Sequence, residues 1–269
     1  MENSVMRKQA IVKYDIGEFL EVEDVVAIEA PLTIVINGEE FATMLCTPSH
    51  LEELVVGFLA AEGLIRTYKE IQKITIDEDK GFAYVKLEKV SLSTSDATTK
   101  RVVGSCCGKS RQFYFQSDVK TAKTVVKCSS ISVEQCIKLM RKMQEGSDDY
   151  QRTGCLHNAA LCTKDDIVIS RSDIGRHNAL DKIYGYCLMN GVGVRDKVIV
   201  FSGRISSEVL LKVSKIGIGI LLSKSAPTTL AIELAEDLGI TAVGFIRGQR
   251  LNVYSRSDRI ICDKELKGD

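Results

Sequence analysis

The 269-residue sequence predicts a protein of mixed α/β class, α+β overall, with a smaller β-rich N-terminal domain and an α/β domain after it. Three observations support this prediction: an Asn37-Gly38 pair between two β-rich runs, a helix capping box at Ser132, and alternating strand and helix patterns near the end. The domain boundary is placed near residue 125, ahead of that capping box. The predicted domains are therefore residues 1–125 and 126–269.

A hairpin and a helix are the first predicted elements. Residues 32–36 and 41–45 are rich in β-formers and flank Asn37-Gly38, the pair best suited to positive φ at both positions of a tight turn. The segment after them predicts a helix start, because Ser49 and Glu52 have the spacing of a capping box. The helix is expected to end at Gly63.

A second hairpin is predicted between residues 73–77 and 82–87. Residues 91–100 form a polar stretch without an apolar period, which predicts a loop. Ser132 and Gln135 form another capping box, so a helix is expected to follow and to end near residue 144.

The last part of the sequence alternates between strand and helix patterns, as in consecutive βαβ units. Such units form a parallel sheet whose loops gather at the carboxyl ends of its strands. The predicted order is a strand at 197–201, a helix from Ser206 or Ser207 to Gly217, a strand at 218–222, a helix from Pro227-Thr228 to Gly239, and a strand at 240–246.

Composition excludes several classes of function. Lysine plus arginine equals aspartate plus glutamate at 36 each, so no global field would hold nucleic acid or a membrane surface. The first residues contain no apolar leader, and the longest aliphatic stretch, near residues 216–222, is too short to span a bilayer. A cytoplasmic protein is expected, in which most of the nine cysteines are small buried hydrophobes.

The adjacent thiols Cys106 and Cys107 have an unusual setting. They lie between glycines, with Arg101, Lys109 and Arg111 nearby, so a thiol there would be exposed and in a positive field that favours thiolate. Nucleophilic sulfur chemistry is one interpretation. Two packed cysteines in a turn is the other, and the residues alone leave both open.

Cys155, His157 and Cys162 are close in sequence, with His177 further on. These side chains bind zinc, but no Cys-x-x-Cys pair is present and the spacing is not that of a standard zinc site. No metal site is therefore predicted. His157 follows Thr153-Gly154 at a predicted helix start, where it suits a polar ligand contact or a hydrogen-bonded buried imidazole equally well.

A further helix is predicted after residue 175, with Arg176 and His177 in its first turn. Helix N-termini attract anions, and an arginine beside one adds a bidentate grip on phosphate. A capped helix with a His177 to Asp181 pair is the simpler alternative.

Two strand ends each place a glycine and an arginine where a parallel sheet binds ligands. The first runs into Ser202-Gly203-Arg204, and the second runs into Arg247-Gly248-Gln249-Arg250. Glycine lets the backbone approach a phosphate, so an anionic nucleotide is the expected ligand. Two surface turns with solvated arginines would explain each segment equally well by itself.

Several of these segments together resemble the formate dehydrogenase accessory protein (FdhD) family. Thr153 to Tyr254 carries the most specific likeness, within a resemblance over roughly residues 20 to 260. The matching blocks are TGCLHNAAL, DIGRHNALDKIYG, FSGRISSEVLLK, SKSAPTTLAIELAEDLGIT and VGFIRGQRLNVY.

The resemblance implies a definite function. Members of the family take sulfur from a cysteine desulfurase as a persulfide and give it to the molybdenum bis(molybdopterin guanine dinucleotide) cofactor that formate dehydrogenase needs. It also implies a cytidine-deaminase-like, three-layer C-terminal domain, a homodimer, and GDP or GMP as surrogate ligands. The implied nucleotide contacts are Phe245, Ile246, Arg247, Gly248, Gln249 and Arg250, to which the patterns above add His157, Arg176, His177 and Arg204.

The sequence departs from the family at the sulfur-bearing loop. The family carries Cys-Gly-x-Cys, whereas Gly104-Ser105-Cys106-Cys107-Gly108-Lys109-Ser110 contains no Cys-x-x-Cys. Cys107 matches a family cysteine in either register and is the expected persulfide carrier, with Cys106 as a possible partner thiol. A vicinal disulfide would be strained and differs in geometry from one across a Cys-x-x-Cys turn.

Two other functions stay open. The altered cysteine loop is compatible with a cofactor-binding chaperone that transfers no sulfur. A nucleotide-processing enzyme is disfavoured, because a zinc deaminase needs His-x-Glu and Pro-Cys-x-x-Cys, whereas here His157 precedes Asn158-Ala159 and Pro227 precedes Thr228-Thr229. No zinc is expected.

Overall fold

The computed structural model describes residues 5–88, 101–103, 122–125, 129–146 and 153–262. Within these ranges it has fifteen strands and five α-helices. The helices are α1 (Leu51–Ala61), α2 (Val133–Glu145), α3 (Arg176–Met189), α4 (Ser207–Ile216) and α5 (Thr229–Leu238). The strands are β1 (Met6–Asp15), β2 (Glu18–Ala27), β3 (Ala30–Ile36), β4 (Glu39–Cys46), β5 (Ile71–Asp77), β6 (Phe82–Leu87), β7 (Arg101–Val103), β8 (Ile131–Ser132), β9 (His157–Cys162), β10 (Ile167–Asp173), β11 (Val198–Phe201), β12 (Ile220–Ser223), β13 (Thr241–Arg247), β14 (Arg250–Val253) and β15 (Ile260–Ile261).

The N-terminal part contains a five-stranded sheet in the order β5-β6-β3-β4-β7. Both predicted hairpins are confirmed, since β3 pairs antiparallel with β4 and β5 with β6. Asn37 and Gly38 have φ of 50° and 94°, as the predicted turn requires. Alternating residues of β3 and β4 are buried and form one apolar face of the sheet.

An antiparallel arm, β1 with β2, precedes this sheet and forms a two-stranded sheet of its own. Its turn lies at Ile16-Gly17, where both residues have positive φ. Tyr14 and Phe19 pack against each other near the tip, with ring centroids 5.3 Å apart, and both stay exposed. No hairpin was predicted from the sequence at residues 6–27.

The C-terminal part is built around a six-stranded sheet in the order β10-β9-β11-β12-β13-β14. The strands β11, β12 and β13 are parallel, as predicted, while β9, β10 and β14 pair antiparallel and make the sheet mixed. Helix α2 covers one face, and α3, α4 and α5 cover the other, because neighbouring strand residues such as Val200 and Phe201 join different core clusters. The mixed α/β prediction is confirmed, and the likeness to cytidine deaminases stays a prediction.

Most predicted helix ends are correct. Ser132 accepts from the Gln135 amide and forms the predicted capping box. Ser206 accepts from the Val209 amide and Thr228 from the Ala231 amide at the starts of α4 and α5. None of the helices in the described ranges is long and apolar enough to cross a membrane.

The predicted capping box at Ser49 is wrong. The residue before α1 is His50, which has a left-handed φ of 50° and makes no side-chain cap. The Ser49 hydroxyl instead lies 3.3 Å from the Lys182 ammonium, from which it accepts a hydrogen bond. A charged partner from a distant helix therefore replaces the local cap.

The predicted helix start near His157 is also wrong, because His157 is the first residue of strand β9. Gly154 has a positive φ of 67° in the loop before it. The short apolar run after His157 fits a buried strand as well as a helix, and its pairing with β10 and β11 decides the outcome.

The N-terminal and C-terminal parts share one hydrophobic core, which runs from β3, β4 and α1 into α3, α4 and α5. Helices α1 and α3 cross closely at Gly57 and Gly185. A Cβ atom on Gly57 would collide with the carbonyl of Asp181, and one on Gly185 with that of Glu53. The boundary placed near residue 125 stays a prediction.

We expect Gly185→Ala to lower the free energy of unfolding by about 1–3 kcal/mol, because the added methyl group must separate the two helices. Helix propensity alone would change stability by about 1 kcal/mol in the opposite direction, so a net loss isolates the close contact. Urea denaturation measures the difference. Gly193→Ala is the control, since no atom lies within 4 Å of a Cβ there; equal stability of the two variants would contradict the expectation.

Candidate functional site

The predicted site residues gather at one edge of the C-terminal sheet. The carboxyl ends of β11, β12 and β13 lie side by side there. Because β9 runs antiparallel to β11, its first residue, His157, reaches the same edge, and β10 ends opposite it with Asp173 paired to His157. The loop after β10 then starts α3 at Arg176.

Arg176 and Arg204 form a cationic group beside His157 at this edge. Burial lowers the pKa of His157, and the nearby Arg176 guanidinium lowers it further. Asp173 raises this pKa by a smaller effect, and Arg204 lowers it by a smaller one still. The imidazole is therefore neutral near pH 7 and can act as a hydrogen-bond donor or acceptor. Arg204 follows Gly203, where a Cβ would lie only 2.9 Å from the Phe201 ring. Arg176 is close to the same position, since its Cβ would lie 3.5 Å from a Cβ on Gly203.

His177 lies one residue further along α3 and contacts the neighbouring helix. Its Nε2 is 3.2 Å from a carboxylate oxygen of Glu208 in the first turn of α4. Asp181, the partner considered for His177 from the sequence, forms an ion pair with Lys212. His177 thus joins α3 to α4 beside the cationic group.

The second predicted segment forms the turn between β13 and β14, in which Arg247 pairs with Arg250. Gly248 has a positive φ of 56°, and Phe245 has the uncommon value of 51° for a side chain of its size. The Arg247 guanidinium lies 5.4 Å from the centroid of the Phe245 ring, which is partly exposed. This pair offers a flat, cationic surface that suits an aromatic base.

The residues of this segment differ in how much of each is exposed to a ligand. Arg247, Gly248, Gln249 and Arg250 are exposed. The Ile246 side chain is 2% exposed and belongs to the core beneath α2, so only its backbone is available to a ligand.

The charged residues of the DIGRHNALDK block have a structural role that the sequence did not reveal. Lys182 and Asp173 are both fully buried and form an ion pair at 2.7 Å. The Lys182 ammonium also donates to the Thr47 carbonyl, and Asp173 accepts from the Thr47 and Gly175 amides and from the Asn178 side chain. These bonds fix the start of α3, and with it Arg176, against the end of β4.

The cysteines differ sharply in their surroundings. Cys106 and Cys107 lie outside the described residues. Burial raises the pKa of Cys46, Cys136 and Cys162 to about 12 and that of Cys187 to about 11. Cys155 and Cys262 are free and exposed.

The structure also bears on the zinc alternative. Among the described residues no group of three or more His, Cys, Asp or Glu side chains could hold a metal ion. His157 and Cys162 stand at opposite ends of the extended strand β9, which separates them by roughly 17 Å.

The fold and this edge define a mixed α/β protein with arginine side chains clustered at the carboxyl ends of parallel strands. Sequence comparison makes the assignment specific: the model of the FdhD/NarQ family matches residues 27–261, and the chain belongs to that family.

Relatives match along nearly the whole chain. A protein of Geobacillus kaustophilus named sulfur carrier protein FdhD is 59% identical, over 97% of this chain and 99% of its own length. The protein of that name from Bacillus subtilis is 57% identical, with the same coverage. The crystal structure of a protein from Desulfotalea psychrophila, described as a formate dehydrogenase accessory protein, matches with a TM-score of 0.78 and 26% identity, over 96% of this chain and 100% of that one.

We expect the four cysteines that are buried within the described ranges to resist alkylation in the folded protein, because burial keeps their thiols neutral. At about pH 8, iodoacetamide should modify Cys155 and Cys262 and leave Cys46, Cys136, Cys162 and Cys187 free. Peptide mass mapping reads out the sites, and labelling in denaturant is the control in which all cysteines react. Fast labelling of Cys46 or Cys187 in the folded protein would contradict their burial.

Proposed function

We propose that this chain is a sulfur carrier that serves formate dehydrogenase and holds the transferred sulfur as a persulfide on Cys107. Family membership, with relatives named sulfur carrier protein at 52–59% identity, is the observation that supports this most directly. The surroundings of the described cysteines also reduce the number of thiols that could carry the sulfur. Four of them are buried with raised pKa values, and a neutral buried thiol is a poor nucleophile.

The loading step is a thiol–persulfide exchange. The Cys107 thiolate attacks the outer sulfur of a persulfide on the cysteine desulfurase, the sulfur–sulfur bond there breaks, and the desulfurase cysteine leaves as a thiolate. In the sequence the two thiols lie between glycines, which favour an exposed loop, and the nearby Lys109 and Arg111 favour the ionised form of a thiol. Cys106 is the proposed partner thiol in place of the family's second cysteine.

The acceptor of the sulfur is the molybdenum bis(molybdopterin guanine dinucleotide) cofactor, bound as a substrate at the edge of the C-terminal sheet. Its phosphates suit Arg247, Arg250 and Arg204, because guanidinium groups bind phosphate oxygens in pairs. Its guanine base suits the surface made by Phe245 and Arg247. Two further groups, His157 and Arg176, complete the site, with His177 beside them.

Two protein partners follow from this function. A cysteine desulfurase supplies the sulfur and formate dehydrogenase receives the completed cofactor, so the chain is expected to work in the cytoplasm. Two copies are expected to form a homodimer. GDP, which carries the base and phosphates of the cofactor, serves as a probe of the site.

We expect Arg250→Ala to weaken GDP binding at least about tenfold, because a charged hydrogen bond to a phosphate contributes about 1.5–3 kcal/mol. Isothermal titration calorimetry measures the affinity. Arg195→Ala is the matched control: Arg195 is also exposed, but it precedes β11 at the opposite edge of the sheet. Unchanged affinity of the Arg250 variant would remove this residue from the site.

We expect the chain to gain one sulfur atom on Cys107 when it is incubated with a cysteine desulfurase and cysteine. Mass spectrometry of intact protein and peptides locates the added sulfur, and Cys107→Ser should abolish both the added mass and activation of formate dehydrogenase. Cys155→Ser is the control, since Cys155 is another exposed thiol. GDP binding without sulfur on any cysteine would instead indicate the cofactor-binding chaperone.

A further inference from the structure

The loop between β12 and α5 lies between the two arginine-bearing turns of the candidate site. It begins at Ser223, the last residue of β12, and ends at Thr228, the residue that caps α5. Neither serine of this loop was singled out by the sequence patterns. Their hydrogen bonds give them a role in the geometry of the site.

On one side the loop is fastened to the turn that carries Arg204. The Ser223 hydroxyl donates to the Gly203 carbonyl at 2.8 Å, and the Ser225 hydroxyl donates to the Ser202 carbonyl at 3.0 Å. Ser223 also accepts from the Ser225 amide at 3.0 Å, so the two hydroxyls are ordered together. The two backbone carbonyls that precede Arg204, those of Ser202 and Gly203, therefore each accept a hydrogen bond from a serine side chain.

The connection to the Arg204 turn continues along the backbone. The Ile205 amide donates to the Ala226 carbonyl, and the Thr228 amide donates to the Ile205 carbonyl, each at 3.0 Å. These bonds form a parallel bridge between Ile205 and Pro227. The two loops thus run side by side up to the helices α4 and α5.

On its other side the loop contacts the strand that leads into the second turn. The Ser225 carbonyl accepts from the Phe245 amide at 3.2 Å. Gly244 permits this approach, since a Cβ there would lie only 2.7 Å from the same carbonyl. Ser225 therefore touches the Arg204 turn through its side chain and the Phe245 to Arg250 turn through its backbone.

We propose that Ser225 is a positioning residue that sets the separation between Arg204 and the Phe245 to Arg250 turn, so that one nucleoside diphosphate can contact both. Ser223, which is 0% exposed, supports the same arrangement through its hydrogen bond to Gly203. The inference rests on the proposed function, because it assigns the nucleotide to this edge. It adds a residue that acts on the ligand only through Arg204.

This mode of action requires that the Ser225 side chain and Arg204 be energetically coupled. Removing the hydroxyl frees the Ser202 carbonyl and lets the Arg204 turn shift, while the backbone bond to Phe245 is kept. Ser225→Ala is expected to weaken GDP binding about threefold to tenfold. In an Arg204→Ala background the same change should have no further effect, because the group that it positions is gone.

Calorimetry with GDP on the full chain tests the proposal, using Ser225→Ala, Arg204→Ala, the double variant and Ser225→Thr. Threonine keeps the hydroxyl and should restore binding. Ser214→Ala is the matched control, because the Ser214 hydroxyl makes a similar pair of hydrogen bonds with the backbone of Lys123 at the C-terminal half of α4, away from this edge. It should lower thermal stability without changing GDP affinity.

The outcomes separate the two proposals. Parental affinity in Ser225→Ala, additive losses in the double variant, or no recovery with threonine would overturn the positioning role and leave the nucleotide site in place. Absence of GDP binding by the unmodified chain would overturn the site and the positioning role together.

Discussion

The close crossing of α1 and α3 is the constraint on which the rest of the structure depends. Gly57 and Gly185 face each other there, and either methyl group would collide with a backbone carbonyl of the other helix. Since α1 belongs with the N-terminal sheet and α3 covers the C-terminal sheet, this contact makes the two parts share one core. The orientation of α3 that results determines where its first turn, with Arg176 and His177, meets the edge of the sheet.

A buried ion pair between Lys182 and Asp173 holds α3 against the end of β4. Removing the charges of Lys182 and Asp173 from water costs free energy. The attraction between the two charges alone would not offset that cost. Here the remaining polar atoms are satisfied by Thr47, Ser172, Gly175 and Asn178, which makes the charges tolerable and the geometry specific. Breaking the pair would leave an uncompensated charge in the core, so loss of either partner is expected to destabilise the fold strongly.

Local patterns determined much of the secondary structure. The Asn37-Gly38 turn, the capping box at Ser132 and the helix starts at Ser206 or Ser207 and at Pro227-Thr228 depend on atoms within a few residues. All were predicted correctly, and the structure assigns the two caps to Ser206 and Thr228. Patterns failed where a distant partner competed. Ser49 bonds to Lys182 rather than to its own helix, and the segment after His157 became a strand because β10 and β11 pair with it.

The sequence by itself determined the class of fold, the family resemblance and which segments carry cations and thiols. These properties depend only on residues that are close together in the chain. Only the tertiary structure decided which of them meet. His157, Arg176 and Arg204 are far apart in the chain and come together because antiparallel β9 and parallel β11 share one edge. The same holds for Ser223 and Ser225 in the loop between β12 and α5. Their hydrogen-bond acceptors, the Gly203 and Ser202 carbonyls, follow a different strand, so a pattern of neighbouring residues cannot predict these bonds.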